Sequence, residues 1–438
     1  MSDSVNLREI VLDLLIEVNE KNQYSHIVLS QALNKFAYLE KQERSFVTRL
    51  FEGCLEKSIE LDYVINQFSK TKTDKMKPLI RNLLKMGTYQ IMYMDGVPES
   101  AACNESVKLA KKRGFHTLSG FVNGILRNIA RNRDNISYPS EEKTPEEYYS
   151  VKYSMPQWLI KMWTEQFGTE KLVEILEGFN GNRKTFIRCN TLKYSPDEVR
   201  SRLEKEGVVV KAVPDIDFAF EIDNYDSIGS LESFNEGMFY VQDISSIMAG
   251  IIAQPKEGDT IIDMCAAPGG KSINACLLAN GKSKVNAYDI SEYKTSMIRE
   301  NIERLGLDEI TADVRDATQL FEENIGKADL VIADVPCSGL GVLSRKNDIR
   351  TKMTGEMTEE IVLLQRKILK NASLYVKPGG TLVFSTCTIN KKENQENVEW
   401  LLANTELEEV SQLQILPGQM ANDGFFIAKF VKKGACHD

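Results

Sequence analysis

The sequence predicts a multidomain protein that combines an all-α N-terminal domain, a small α+β middle module and a C-terminal α/β domain. The chain has 438 residues, well beyond the roughly 250–300 residues at which a single hydrophobic core stops growing. Apolar residues recur at helical spacing through the first part of the chain, whereas strand-like and helix-like segments alternate in the last part. We place the domain boundaries at residues 1–135, 136–235 and 236–438.

Residues 5 to about 133 are predicted to be helical throughout, in five to seven helices. Proline favours the first turn of a helix, so Pro78 and Pro98 are expected to begin two of them. The apolar residues that define the helical spacing are Val5, Ile10, Leu14 and Val18; Phe46, Leu50 and Cys54; Leu79, Leu83, Met86 and Ile91; and Phe121, Ile125 and Ile129.

The same helical region carries a local excess of positive charge. The net charge of the chain is −9, which disfavours a nucleic-acid partner because neutralisation of phosphates supplies much of the affinity for nucleic acids. Residues 68–133, however, contain thirteen basic residues and four acidic ones. We expect this segment to contribute an RNA-facing surface, with a solvated helical face as the alternative.

The middle of the chain is predicted to be a linker followed by a small module that also serves RNA binding. Residues 134–156 are polar and contain three prolines, which is typical of a linker. Two helices are expected next, at about 156–167 and 169–179. A strand at 185–190, a helix at 195–206 and strands at 207–210 and 218–222 complete the α+β pattern.

The last part of the chain is predicted to form a parallel sheet covered by helices on both faces. Strands are expected at 260–264, 284–288, near Ile310, at 330–334, at 381–385 and at 425–430. Helices are expected at about 270–280, 291–305, 358–375 and 393–403.

Composition and patterning argue against several classes of protein. The cysteines show no C-x-x-C pair and no zinc-ligand spacing, so we expect reduced thiols and no metal site. None of His26, His116 and His437 lies between residues 258 and 395, which disfavours a Ser-His-Asp triad or a Cys-His protease there. Residues 5–18 are apolar on one face only, so neither a signal peptide nor a membrane span is expected and cytoplasmic is the default location. The eight cysteines are Cys54, Cys103, Cys189, Cys265, Cys276, Cys337, Cys387 and Cys436.

A segment rich in small residues follows the strand predicted at 260–264 and opens a helix. Its sequence is Asp263-Met264-Cys265-Ala266-Ala267-Pro268-Gly269-Gly270-Lys271-Ser272. Small residues let the backbone approach a ligand, and a helix N-terminus offers unpaired N–H donors. Asp289 ends the next strand, where an acidic side chain would bind a ribose diol, and Asp316 could accept a hydrogen bond from an adenine amino group. Together these residues predict a nucleoside-binding site at the carboxyl ends of the strands.

A phosphate-binding P-loop is the alternative for this segment, because Gly270-Lys271-Ser272 resembles its end and the strand before Asp334 resembles a magnesium-binding strand. The P-loop pattern requires a glycine five residues before Gly270, where this chain has Cys265. A P-loop ATPase is therefore the weaker interpretation. We expect Cys265 to pack as a small apolar residue rather than to act as a reactive thiol.

Two further motifs, Asp334-Val335-Pro336-Cys337 and Thr386-Cys387-Thr388, each place a cysteine just after a predicted strand. C5 of cytosine is too weak a nucleophile to take a methyl group directly, and addition of a thiolate to C6 gives C5 carbanion character. The C5 proton must then be removed, which Cys337 or a nearby water could do. Asp334 could hydrogen-bond or protonate ring N3. The alternative is that both cysteines are buried packing residues.

These three motifs together resemble the signature set of the Nol/Nop/Sun family of RNA cytosine-5 methyltransferases. The resemblance implies a Rossmann-like, S-adenosylmethionine-dependent domain in which Cys387 is the nucleophile and Cys337 assists product release. Residues that would bind S-adenosylmethionine or organise the site are Cys265, Ala266, Ala267, Pro268, Gly269, Gly270, Lys271, Asp289, Asp316 and Asp334. Further matches to the family lie at residues 188–192, 240–243, 393–394 and 423–426.

The helical N-terminus is similar to a NusB-like RNA-binding domain, notably at Val97-Pro98 and in the run Phe121-Val122-Asn123-Gly124-Ile125-Leu126-Arg127. The combination implies an unpaired cytosine of 16S ribosomal RNA as the target, cytosine 967, in free RNA or an early assembly intermediate. A non-catalytic NusB-like RNA-binding factor is a further alternative. Candidate phosphate contacts after the Cys337 motif are Arg345, Lys346, Arg350 and Lys352.

Overall fold

The computed structural model describes residues 5–181, 184–419 and 423–434. The chain divides into two units, one of residues 1–176 with 343–352 and the other of residues 177–342 with 353–438. The three predicted domain boundaries stay a prediction. Within the described residues, no helix is both long and apolar enough to cross a membrane.

Seven α-helices lie between residues 7 and 131 of the described chain, as predicted. Asn6 caps the first of them, because its side-chain oxygen accepts hydrogen bonds from the backbone N–H groups of Arg8 and Glu9 at 3.1 and 3.2 Å. Pro78 is the first residue of the fifth helix and Pro98 caps the sixth, as expected. The helices are α1 (Leu7–Glu20), α2 (Ser25–Lys35), α3 (Lys41–Glu56), α4 (Ser58–Phe68), α5 (Pro78–Tyr93), α6 (Glu99–Lys112) and α7 (Ser119–Arg131).

Helix α5 joins two apolar clusters of this unit. Its Leu83 and Met86 pack with residues of α1 and α3. Leu84 and Ile91 pack instead with residues of α4, α6 and α7. Because apolar side chains surround it on several sides, α5 is the buried centre of the helical unit.

The prediction of a linker at residues 134–156 is wrong for residues 145–153, because these form a helix. Its Tyr149, Val151 and Tyr153 are buried, so this segment packs although its sequence is rich in glutamate. The two helices expected after it are present. The three are α8 (Pro145–Tyr153), α9 (Gln157–Phe167) and α10 (Thr169–Gly178).

The second unit begins with a four-stranded antiparallel sheet of order β2-β3-β1-β4, which confirms the α+β middle module. The fourth strand was not predicted, since it has three residues only. The strands are β1 (Thr185–Cys189), β2 (Val209–Val213), β3 (Ile216–Asp223) and β4 (Phe239–Val241), and the helices are α11 (Pro196–Lys205) and α12 (Glu232–Asn235).

A seven-stranded mixed sheet of order β10-β11-β9-β8-β5-β6-β7 follows. The strands are β5 (Thr260–Asp263), β6 (Lys284–Asp289), β7 (Ile310–Val314), β8 (Ala328–Asp334), β9 (Val376–Thr386), β10 (Leu407–Ile415) and β11 (Phe425–Lys432). Strands β5 to β9 are parallel, as predicted, but β11 pairs antiparallel with both β9 and β10. The expectation of a wholly parallel sheet is therefore wrong for β11, because only nine residues separate it from β10 in the sequence, fewer than a crossover connection needs.

Helices cover both faces of this sheet. Ile261 and Ile262 are neighbours on β5 and are 0% and 1% exposed, and they belong to separate apolar clusters. Since successive strand side chains point to opposite faces, both faces are buried, as predicted. Helix α13 was not predicted. The helices are α13 (Ile244–Ala253), α14 (Gly270–Leu278), α15 (Glu292–Leu305), α17 (Gly355–Tyr375) and α18 (Gln395–Asn404).

Residues 343–352, which follow the Cys337 segment, belong to the helical unit and include α16 (Ile349–Lys352). Arg350 is 1% exposed and donates hydrogen bonds to the carbonyl oxygens of Tyr153 and Glu56 at 3.2 and 3.4 Å. The expectation that Arg350 contacts phosphate is wrong, because its guanidinium group is buried against backbone carbonyls. Lys352 pairs with Asp348 at 3.2 Å and also donates to a backbone carbonyl.

The packing of the middle module against α15 can be tested at Gly237. Its φ is +72°, and a Cβ atom there would lie 2.1 Å from the carbonyl oxygen of Arg304. We expect Gly237→Ala to lower the free energy of unfolding by about 1–3 kcal/mol through backbone strain, measured by urea denaturation. Gly229→Ala is the control, since a Cβ atom there meets nothing within 4 Å. Equal unfolding midpoints for the two variants would contradict this packing.

Candidate active site

The carboxyl ends of β8 and β9 bring the two predicted cysteines together. The strands are parallel neighbours with Asp334 opposite Ser385. Cys337 follows the end of β8 by three residues and Cys387 follows β9 directly. Their Sγ atoms are 3.1 Å apart, so both sulfurs can face one small substrate. No disulfide joins the seven described cysteines, and Cys436 lies outside the described residues, as does His437.

Asp334, the last residue of β8, is held by two partners. Lys271, from the start of α14, places Nζ 2.7 Å from Asp334 Oδ2. Ser385 Oγ donates a hydrogen bond to Asp334 Oδ1 at 2.7 Å. One carboxylate oxygen thus contacts an ammonium group and the other a hydroxyl, which fixes the plane of the carboxylate.

Charges at this end of the sheet are strongly coupled. Burial opposes the charge of Lys271, but the carboxylates of Asp334 and Asp263 outweigh it and raise the pKa of Lys271. A smaller contribution comes from Cys387, so the positive charge of Lys271 also acts on that sulfur. Burial raises the pKa of Asp263 to about 7. Ser272 Oγ donates to Asp263 Oδ2 at 2.6 Å, while Asp263 Oδ1 is buried with no hydrogen-bond partner among the described residues.

A cavity of about 180 Å³ lies beside Asp334. Of the predicted binding residues, those that line it are Cys265, Ala266, Ala267, Pro268, Gly270, Lys271 and Asp334. Gly269, Asp289 and Asp316 are not among the described residues that line this cavity. The backbone of the small-residue segment therefore forms one wall, as the sequence predicted, and Lys271 and Asp334 supply the charges.

Asp289 instead organises that wall. Its Oδ2 accepts a hydrogen bond from the backbone N–H of Ala267 at 3.0 Å, and its Oδ1 lies 3.2 Å from Lys294 Nζ. Gly269 caps α14 at φ +104°, a conformation that favours glycine. Asp316 accepts hydrogen bonds from the backbone N–H and hydroxyl of Thr318 at 2.9 and 2.7 Å.

Besides Cys387, two thiols lie near the site, those of Cys337 and Cys265, and the pKa of each is raised. The hydrogen bond to Cys387, together with burial, raises the pKa of Cys337 well above its usual value. Burial likewise raises the pKa of Cys265, which disfavours a reactive thiolate there.

No binding role was predicted for part of the cavity wall, although residues 240–243 match the family pattern. Gln242, Asp243 and Ser246 line the cavity. Gln242 Nε2 donates to the carbonyl oxygen of Gly270 at 3.0 Å, and Ser246 Oγ lies 3.4 Å from Lys271 Nζ. Asp243 caps α13, and an aspartate before an apolar run is a helix-start signal that could have revealed this helix.

The basic residues predicted to face RNA lie in the helical unit, where many are engaged in ion pairs. Lys85, for example, is buried and lies 2.7 Å from Asp62. The seven that pair with carboxylates are Lys75, Arg81, Lys85, Lys108, Lys112, Arg113 and Arg133. The six for which the described structure has no ion pair are Lys70, Lys72, Lys77, Lys111, Arg127 and Arg131.

Comparison with protein families gives three matches along the chain. Residues 250–431 match the 16S rRNA methyltransferase RsmB/F family. Residues 5–131 match the NusB family, and residues 155–228 match the ferredoxin-like domain of RsmF/B-like methyltransferases. These matches confirm the predicted order of an N-terminal NusB-like domain, a small α+β module and a methyltransferase domain.

Similar proteins extend over nearly the whole chain. A probable ribosomal RNA small subunit methyltransferase B from Bacillus subtilis (strain 168) is 32% identical, with 98% of this chain and 99% of that protein covered. The probable methyltransferase B from Synechocystis is also 32% identical, with 98% and 100% covered. The crystal structure of PH0851 is 26% identical with a TM-score of 0.83, over 98% of this chain and 99% of the other. A methyltransferase homolog from Pyrococcus horikoshii is 27% identical with a TM-score of 0.58, over 65% and 97%.

The influence of Lys271 on Cys387 can be measured directly. A nearby cation stabilises a thiolate, so Lys271→Met should slow alkylation of Cys387 by iodoacetamide about threefold to tenfold at neutral pH. Peptide mass spectrometry gives the rate for each cysteine. Lys284→Met, an exposed lysine at the start of β6, is the control and should leave the rate unchanged. The same rate in Lys271→Met as in the native chain would refute the electrostatic coupling.

Proposed function

Since the chain belongs to the ribosomal RNA small subunit methyltransferase B family, we propose that it methylates C5 of a cytosine in 16S ribosomal RNA through a covalent adduct of Cys387 with C6. The observation that carries this proposal is the 3.1 Å approach of the Cys337 and Cys387 sulfurs beside Asp334. Membership of a methyltransferase family disfavours both the P-loop ATPase and the non-catalytic binding factor.

The cofactor is S-adenosylmethionine, which supplies an electrophilic methyl group when bound. The residues of the cavity beside Asp334 fit such a ligand, because small residues expose their backbone and Asp263 Oδ1 is a buried acceptor without a described partner. We assign the binding wall to residues 265–271. Asp289 would accept hydrogen bonds from the ribose hydroxyl groups, and Asp316 would accept one from the adenine amino group. These are the roles expected of acidic residues after the second and third parallel strands.

The first step adds the Cys387 thiolate to C6 of the cytosine. Lys271 favours the thiolate, since its positive charge acts on this sulfur. Asp334, held by Lys271 and Ser385, would carry a proton and donate it to ring N3 as the thiolate adds, which neutralises the negative charge that the addition places on the ring. The addition creates the electron-rich C5 to which the methyl group is then transferred.

Release of the product requires loss of the C5 proton and cleavage of the bond between C6 and Cys387 Sγ. The raised pKa of Cys337 keeps its thiol protonated at neutral pH, which favours a water beside Cys337 as the base. The electron pair of the C5–H bond re-forms the C5–C6 double bond, and the Cys387 thiolate leaves. A hydrogen bond from the Cys337 thiol to the departing sulfur would assist this cleavage.

The RNA must present its cytosine outside a duplex, because a stacked and paired base cannot bring C6 to a thiolate. We assign phosphate contacts to the six basic residues of the helical unit that lack a described ion pair, together with Arg345 and Lys346. The family resemblance favours cytosine 967 of 16S ribosomal RNA, in free RNA or an early assembly intermediate, in the cytoplasm.

Replacement of the two cysteines should separate their roles. Cys387→Ala should lose at least about 1,000-fold in methyl transfer from labelled S-adenosylmethionine to 16S ribosomal RNA, because no adduct can form. Cys337→Ala should accumulate a protein–RNA adduct that survives a denaturing gel. Cys276→Ala, a core cysteine of the same unit, is the control and should stay within about twofold of native activity. Full activity in Cys387→Ala would exclude covalent catalysis.

The role assigned to Asp289 can be tested by cofactor binding alone. We expect Asp289→Asn to weaken S-adenosylmethionine binding roughly tenfold in isothermal titration calorimetry, because a hydrogen bond to a charged group contributes about 1.5–3 kcal/mol. Asp308→Asn, an exposed aspartate between α15 and β7, is the matched control. Unchanged affinity in Asp289→Asn would remove Asp289 from the binding site.

A further inference from the structure

We propose that Glu393 is the positioning residue that holds the loop after Cys337 and the loop after Cys387 together and so sets the distance between the two sulfurs. The inference rests on the proposed function for its consequence in catalysis. Glu393 lies just before α18 and is 0% exposed. Its carboxylate receives hydrogen bonds from residues adjacent in sequence to each cysteine.

On the Cys337 side, the partner is Ser338. The backbone N–H of Ser338 donates to Glu393 Oε2 at 2.8 Å, and its hydroxyl donates to Oε1 at 2.5 Å. Gln365 of α17 adds a second link, since its Nε2 donates both to Glu393 Oε2 at 3.0 Å and to the carbonyl oxygen of Pro336 at 2.9 Å. The residues on both sides of Cys337 are therefore tied to Glu393, one directly and one through Gln365.

On the Cys387 side, the partner is Thr388. Its hydroxyl lies 3.3 Å from Glu393 Oε1 and 3.0 Å from the hydroxyl of Ser338. Asn390 Nδ2 donates to the same carboxylate oxygen at 3.1 Å. A single side chain thus bridges two loops that the chain itself separates by about fifty residues.

Glu393 and the residues that hydrogen-bond to it are all buried, so water cannot replace a lost hydrogen bond and the donors must keep their positions. Ser338 is 1% exposed, and Gln365, Thr388 and Asn390 are 0% exposed. Burial raises the pKa of Glu393, while the hydrogen bonds from Ser338, Asn390 and Gln365 act in the opposite direction. Loss of the carboxylate would leave several buried donors without an acceptor, and a glutamine would place an NH₂ group against other donors.

The proximity of the two sulfurs can be tested in the absence of RNA and S-adenosylmethionine. Diamide oxidises two neighbouring thiols to a disulfide and takes up both hydrogens, so the rate of the Cys337–Cys387 disulfide reports how closely the sulfurs are held. Peptide mass spectrometry of the full-length chain gives that rate. We expect Glu393→Ala and Glu393→Gln to slow it at least about tenfold, and Ser338→Ala about threefold. Glu399→Gln, an exposed glutamate on α18, is the control and should match the native chain.

The loss of the negative charge of Glu393 would by itself speed formation of the disulfide, not slow it. The negative charge of Glu393 contributes to the raised pKa of Cys337, so its removal should make this thiol more reactive. A slower disulfide in Glu393→Gln therefore reports lost positioning. Methyl transfer should show the same pattern, with kcat lowered about tenfold or more and KM for RNA within about twofold.

A native rate of disulfide formation in a folded Glu393→Gln would overturn the proposal. If the Glu393 variants do not fold, Ser338→Ala and Thr388→Val provide the test. Native rates of disulfide formation in both of these variants would also overturn the proposal. Because the assay uses neither RNA nor S-adenosylmethionine, it can succeed or fail independently of the proposed methylation of cytosine C5.

Discussion

The parallel pairing of β8 with β9 is the constraint on which the site depends. It sets Asp334 opposite Ser385, and the chain leaves both strands at the same edge of the sheet. Parallel strands end together, so two cysteines distant in sequence meet with their sulfurs 3.1 Å apart. A shift of the register by one residue would move Ser385 away from Asp334 and turn the following loops to the wrong face. The neighbouring β5 then brings Lys271 to the same edge through α14.

Buried polar groups hold this edge in place and carry a cost in stability. Lys271 and Asp334 form a partly buried ion pair, and Glu393 is a buried carboxylate supported by neutral donors only among its described hydrogen bonds. Such groups contribute little net stability, because removing them from water offsets most of their attraction. Their value lies in geometry, since in the proposed reaction the groups that they hold must meet the base within a fraction of an ångström.

Sequence patterns predicted most of the strands and helices and many of the residues that line the candidate site. The predictions failed where contacts between distant parts of the chain outweigh the local sequence preference. The β5–β9 strands were predictable because strands buried on both faces are continuously apolar. The edge strand β10 was not, since four of its five exposed residues are polar. The segment of helix α8 has the polar composition of a linker, but its Tyr149 and Tyr153 are buried in the structure. Arg350 follows the Cys337 motif in sequence, where a phosphate contact was expected, but it is buried and donates to the carbonyl oxygen of Tyr153. The bridge made by Glu393 depends on three distant segments, which no local pattern reveals.

The proposed mechanism requires Cys387 to bond to a cytosine that then accepts a methyl group. The most direct test is to offer the native chain 16S ribosomal RNA containing 5-fluorocytidine, because fluorine at C5 cannot leave as a proton does and the adduct is trapped. We expect a stable complex that forms only with S-adenosylmethionine, carries one added methyl group by mass and is attached at Cys387. A complex attached at Cys337, or methylation with no covalent complex, would contradict it.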